Sequence, residues 1–128
     1  MQDGQMTWLW IAALNGALAV ALGAFAAHGL KAVLDPAALS TFDTATRYHM
    51  FHALALLGPA LLSARTSSRL LHLSGAAFLL GILLFSGSLY ILSLTGSRAF
   101  VLVTPVGGLS FIVGWLLLAA VGWQKRKS

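Results

Sequence analysis

Four stretches of the chain carry no Asp, Glu, Lys or Arg: Trp8 to Leu30, Tyr48 to Ala64, Leu70 to Gly96 and Ala99 to Gln124. At a rise of 1.5 Å per residue the first makes roughly 34 Å of helix, enough to cross the ~30 Å hydrocarbon core of a bilayer. The third and fourth are at least as long. Tyr48 to Ala64 only just reaches the lower limit for a span, and the residues before it explain the shortfall. Asp35-Pro36 predicts a helix start, with Asp35 as N-cap and Pro36 at N1, where a missing N–H costs nothing. From there Leu39, Phe42, Thr46, Met50 and Ala53 recur at three- and four-residue spacing, while Ser40, Asp43, Thr44 and Arg47 take the other side. That pattern predicts an amphipathic lead-in near the interface, with Asp43 and Arg47 paired at i,i+4. Gly58-Pro59 is expected to kink the second span.

The elements add up to an all-α membrane protein. Its expected architecture is a four-transmembrane-helix bundle with an amphipathic interfacial lead-in to the second helix. The whole of 1–128 is one integral membrane domain, with spans about 8–30, 48–64, 70–96 and 99–124 and the interfacial helix about 36–47. Composition agrees. Hydrophobic residues make up 59% and charged residues 9%, against roughly 25% charged in a soluble domain. So few charges cannot wet the surface of a soluble protein, so the apolar residues must face lipid.

The net charge of +5 does not change this picture. Apart from Lys125, Arg126 and Lys127 the basic residues are scattered, with no aromatic-interleaved basic face, so no nucleic-acid partner is expected. With four spans, the tail and the Arg65–Arg69 loop share one side and carry five Lys/Arg, against Lys31, Arg47 and Arg98 opposite. The positive-inside rule then puts both termini in the cytoplasm. Trp8, Trp10 and Trp123 fit an aromatic belt on that inner face. Met1 to Thr7 holds no Lys or Arg, so the first run is expected to be a retained helix rather than a cleaved signal.

Helices in lipid associate where small residues let backbones approach. Ala19, Gly23 and Ala27 form such a stripe on the first helix, joined by Ala12 and Gly16, and Ser110 and Gly114 form one on the fourth. The stripes serve packing inside the bundle or between copies. Membrane lipids and a homo-oligomer or larger membrane complex are therefore the expected partners.

Polar residues at membrane depth are the candidates for chemistry. His28 closes the first span and His49 and His52 open the second, so these three share the outer end, whereas His72 lies at the inner end. On the third helix Ser86, Tyr90 and Ser93 recur at i, i+4 and i+7. The outer end thus gathers His28, Lys31, Asp43, Arg47, Tyr48, His49, His52 and Tyr90. His28, Arg47 and His52 are expected to form one polar network reached by Tyr90, and one reading makes this cluster structural, hydrogen-bonding the lead-in helix to the bundle. The other makes it a site for a small ligand: a metal ion, a quinone or a lipid head group. No metal site and no cofactor are predicted outright. The absence of cysteine excludes thiolate ligands, iron–sulfur clusters and thiol nucleophiles, and two close histidines lack a confirmed third ligand. Asn15, mid-span on the first helix, is expected to make an interhelical hydrogen bond. Catalysis needs an activated nucleophile or a poised acid–base pair, and Asp43 already has Arg47, so no enzyme is predicted.

Two segments carry a family resemblance. Gly23-Ala-Phe-Ala-Ala-His28-Gly29-Leu-Lys31, followed by Phe42-Asp-Thr-Ala-Thr-Arg47-Tyr48-His49-Met-Phe-His52-Ala-Leu-Ala, resembles the YgdD-like small inner-membrane proteins, a domain of unknown function related to transmembrane protein 256. The match is close over the first two helices and rests on hydropathy and small residues in the last two. The resemblance implies a multi-pass protein of the bacterial cytoplasmic membrane and supplies no reaction, substrate or cofactor. Its motif positions, Gly23, His28, Gly29, Lys31, Arg47, Tyr48 and His52, coincide with the outer-end cluster. The expected role is that of a non-enzymatic accessory or scaffold protein acting through helix and lipid contacts, with ligand binding at the cluster as the alternative.

Overall fold

In the computed structural model, which describes residues 2–127, charge-free runs become helices and their borders are set by local chemistry. Helix α1 runs Gln2–His28 and ends in a 3₁₀ turn, Leu30–Ala32. Asp35 then caps α2, Pro36–Ala55, by accepting from the Ala38 N–H at 2.8 Å. The lead-in expected over 36–47 is not a separate surface helix. It is the first part of α2, and its apolar face is buried against protein: Phe42 and Ala45 are fully enclosed.

The predicted kink is present. Pro59 has no N–H for the Ala55 carbonyl, and the helix breaks at Leu56 before resuming as α3, Leu57–Leu62. Ser68 caps α4, Arg69–Gly81, by accepting from the Leu70 N–H at 3.2 Å. A π-helical turn, Ile82–Ser86, joins α4 to α5, Gly87–Thr95. Gly96, at φ 72°, closes α5 in the left-handed conformation that glycine adopts without penalty. Apolar turns over 99–102 lead to α6, Val103–Lys127.

Three stretches, Asp3–Ala32, Arg69–Thr95 and Val103–Lys127, are long and apolar enough to cross a membrane. Leu18, Val20, Leu61, Leu83, Leu109 and Leu116 stand exposed on the outside of the bundle, as lipid contact requires. Gly4 and His72 line one cavity, and Arg69 and Lys125 another, so the start of α1, the α3–α4 loop and the end of α6 share one end. At the other end Asp35 and Thr41 meet Leu92 and Ser93. α1 packs on α2 and α3, α2 on α5, and α4 on α6.

The α4–α6 seam explains the core. Phe78 of α4 sits where a side chain on Gly114 would have to go, and Phe111 of α6 does the same over Gly81. Ser74 Oγ donates to the Gly114 carbonyl at 2.9 Å and Ser110 Oγ to the Ala77 carbonyl at 2.7 Å, stitching the same seam. Gly107 rests directly on the backbone of Leu84 and Phe85 in the π turn. The central cluster is Ala12, Leu56, Phe78, Ile82 and Phe111. The stripe on α1 divides: Ala12 and Ala19 are buried, Ala27 is exposed, and a Cβ on Gly16 or Gly23 meets nothing within 4 Å.

Candidate functional site

His49 and His52 are one turn apart on α2, about 60° apart around its axis, and both are buried. That angle sends them to different neighbours. His49 lies between α1 and α5, with Nδ1 2.9 Å from the Tyr90 hydroxyl and Nε2 3.0 Å from Asn15 Oδ1. Asn15 Nδ2 donates to the Ile11 carbonyl at 2.9 Å, which leaves Oδ1 as the atom facing the imidazole. The acceptor at Nε2 fixes the tautomer: His49 carries its hydrogen on Nε2, and Tyr90 donates to Nδ1. The expected interhelical bond of Asn15 is this one.

His52 adopts the opposite tautomer. Its Nδ1–H donates to the Tyr48 carbonyl at 2.8 Å, and Nε2 accepts from the Trp115 indole at 3.1 Å. The ring stacks on Phe111 with centroids 3.6 Å apart and planes 9° from parallel. Each buried imidazole is neutral in this pattern and has both nitrogens engaged, so neither offers a lone pair to a metal or a proton. Among the described residues no three His, Cys, Asp or Glu side chains converge as a metal site would need.

The rest of the outer-end set goes elsewhere. His28 is exposed and donates from Nδ1 to its own helix, at the Ala24 carbonyl, 2.9 Å. Lys31 is exposed in the 3₁₀ turn. Asp43 and Arg47 form the expected ion pair at 2.8 Å, on the exposed side of α2. The network of His28, Arg47 and His52 is therefore not assembled, and Tyr90 joins His49 instead. Ser86 Oγ donates to the Ala45 carbonyl at 2.8 Å, a second tie between α2 and the third span.

Tyr48 is half-exposed, with its ring 4.9 Å from Phe85. It lines a groove of about 850 Å³ between α2 and α6 with Phe51, His52, Phe85, Phe111 and Trp115 among its walls. Trp115 is the partner that sequence reasoning missed, although an indole N–H inside a membrane helix demands an acceptor. Trp8, expected in an interfacial belt, lies over Gly75 and donates to His72 Nδ1 at 2.9 Å.

Comparison with known proteins agrees with this membrane architecture. Residues 22–108 match the family model described as "Protein of unknown function (DUF423)". The chain is 50% identical to a UPF0382 membrane protein of Haemophilus influenzae over 94% of its own length and 96% of the relative's. It is 44% identical to the UPF0382 inner membrane protein YgdD of Escherichia coli, over 93% and 92% respectively. Identity to the UPF0382 membrane protein YwdK of Bacillus subtilis is 42%, over 84% and 89%. No solved structure matches the chain. The chain thus belongs to the DUF423 family, whose curated relatives are the UPF0382 membrane proteins.

Proposed function

We propose that this chain is a four-span, non-enzymatic accessory or scaffold protein of the bacterial cytoplasmic membrane, acting through helix and lipid contacts. One observation carries the reading: both buried histidines have both ring nitrogens engaged and tie α2 to other helices, His49 through both nitrogens to α1 and α5 and His52 through Nε2 to α6. Groups fixed in this way hold a fold together and are poorly placed to turn over a substrate. The membrane assignment draws support from the name of the Escherichia coli relative. The fourth crossing is α2 with α3, a path from Pro36 to Leu62 of roughly 40 Å at the helical rise.

The basic end, with Arg65, Arg69 and the tail, is assigned to the cytoplasm, as are both termini. The chain has no cysteine, so single-cysteine variants label without background. An impermeant maleimide outside intact cells is expected to react with Ser97→Cys and to miss Ser67→Cys. The reverse pattern would invert the topology.

Self-association belongs to the same proposal, because the outward side of α1 offers Gly16 and Gly23 with open space over them. A second reading, capture of an uncharged bilayer-soluble molecule such as a quinone, is favoured by the aromatic groove beside His52 and Trp115. Native mass spectrometry of protein released from cell membranes separates the two. The scaffold reading expects a multiple of the chain mass with phospholipid alone. A stoichiometric non-lipid adduct that disappears in Trp115→Ala would instead establish the groove as a binding site, and a strictly monomeric mass would remove self-association.

A further inference from the structure

The end of the molecule that gathers the start of α1, the α3–α4 loop and the tail of α6 is strongly basic: Arg65, Arg69, Lys125, Arg126 and Lys127 stand against Asp3. Two cavities lie there, of about 260 Å³ and about 400 Å³, and residues 66–69 line both. His72 borders the first and Lys125 the second, and among the described residues no carboxylate borders either.

The lining is rich in donors. Because Trp8 donates to His72 Nδ1, the neutral ring carries its hydrogen on Nε2, and among the described residues nothing accepts it. The ion pair that the described residues form is Asp43–Arg47, at the far end, so neither Arg65 nor Arg69 meets a carboxylate. Thr66 and Ser67 keep hydroxyls that bond nothing within the described fold. A guanidinium, an ammonium, an imidazole N–H and free hydroxyls around shared cavities are the chemistry of a phosphate site.

Position selects the source of the phosphate. Leu70, on the wall of the larger cavity, begins a charge-free run that continues through the bundle. Trp123 lies 5.1 Å from the charged groups of both Arg126 and Lys127, the mixed aromatic and cationic setting of the headgroup layer. We infer that these cavities hold the phosphodiester of an anionic phospholipid, with Arg69 on the shared wall and His72 and Lys125 on its two flanks. The inference rests on the membrane-spanning reading above but not on which leaflet this end faces.

The test uses the full chain in phosphatidylcholine nanodiscs doped with fluorescent phosphatidylglycerol, with bound lipid read by energy transfer from tryptophan. Removing one cation at a membrane surface is expected to weaken binding about fivefold. Arg69→Gln combined with Lys125→Gln should therefore weaken it about twenty-five-fold, while Arg98→Gln at the other end stays within about twofold of the parent. Thr66→Ala with Ser67→Ala leaves charge untouched and should weaken binding about threefold, the equivalent of a lost hydrogen bond. Should the arginine–lysine variant fail to fold by circular dichroism, the hydroxyl pair decides alone.

Equal losses from Arg98→Gln, or no loss from the hydroxyl pair, would overturn the site in favour of a diffuse charge effect. Displacement of the lipid by equimolar glycerol phosphate would assign the cavities to a free phosphate ester and overturn the phospholipid. Nanodiscs present both leaflets, so an inverted topology would fail the labelling test and leave this result intact.

Discussion

His49→Ala is expected to lower the unfolding free energy by about 3 kcal/mol, measured by SDS titration in mixed micelles. The ring is 2% exposed and fills the space between α1, α2 and α5, so its removal opens a void that rigid helices close only in part. It also leaves the Tyr90 hydroxyl and the Asn15 carbonyl oxygen without partners. Tyr90→Phe deletes a single hydroxyl and no packing volume. Interhelical hydrogen bonds in membranes average about 0.6 kcal/mol, so its cost should fall near that figure. Comparable costs for the two variants would mean that the bond rather than the packed ring makes the joint. No cost for His49→Ala would mean that α1 is not held there.

Gly107→Ala is expected to cost about 2 kcal/mol although it adds one methyl group. The new Cβ runs into the main chain of Leu84 and Phe85, and a backbone fixed in a π turn has no rotamer to change. Overpacking of about 3 kcal/mol is offset by about 1 kcal/mol of better helix propensity. Gly23→Ala gains the same propensity and meets nothing within 4 Å, so it should be neutral or stabilising by up to about 1 kcal/mol in a monomeric preparation. SDS titration of the two variants side by side gives opposite signs if the seam lies where Gly107 touches the π turn. A loss at Gly23 matching that at Gly107 would contradict the fold described here.

Depth was legible in the sequence and azimuth was not. Charge-free runs located three long apolar helices within a few residues, because membrane helices must exclude charge along their whole length. The start of α6 was misplaced: Ala99 to Leu102 are apolar yet form turns, and the helix begins at Val103, which leaves Pro105 in the first turn where its missing N–H does no harm. His28, Arg47 and His52 were read as sharing one end, but His52 lies against Phe111 and Phe78 of the central cluster, and linear position says nothing about which way a side chain leaves its helix. His28 and Arg47 point outward, and His52 turns to α6. Asn15 was legible as a bonding residue, since an amide inside lipid must find a partner. That its partner would be His49 depended on how α1 and α2 are rotated against each other. Of the two small-residue stripes, the one on α6 is used inside the bundle at Ser110 and Gly114, whereas the one on α1 runs off the margin of its contact face.

The α6 contacts also impose an order on biogenesis. Phe111, Gly114 and Trp115 are synthesised after α1 to α5, yet they provide the ring under His52, the acceptor for Ser74 and the donor for His52 Nε2. Until the ribosome has passed Trp115, α4 carries an unfilled notch at Gly81 and α2 presents an imidazole nitrogen with no donor opposite it. The joint of Asn15, His49 and Tyr90 needs nothing beyond α5 and can close earlier. A nascent chain in the translocon therefore acquires its α1–α2–α5 lock first and its α4–α6 seam only when α6 enters the bilayer.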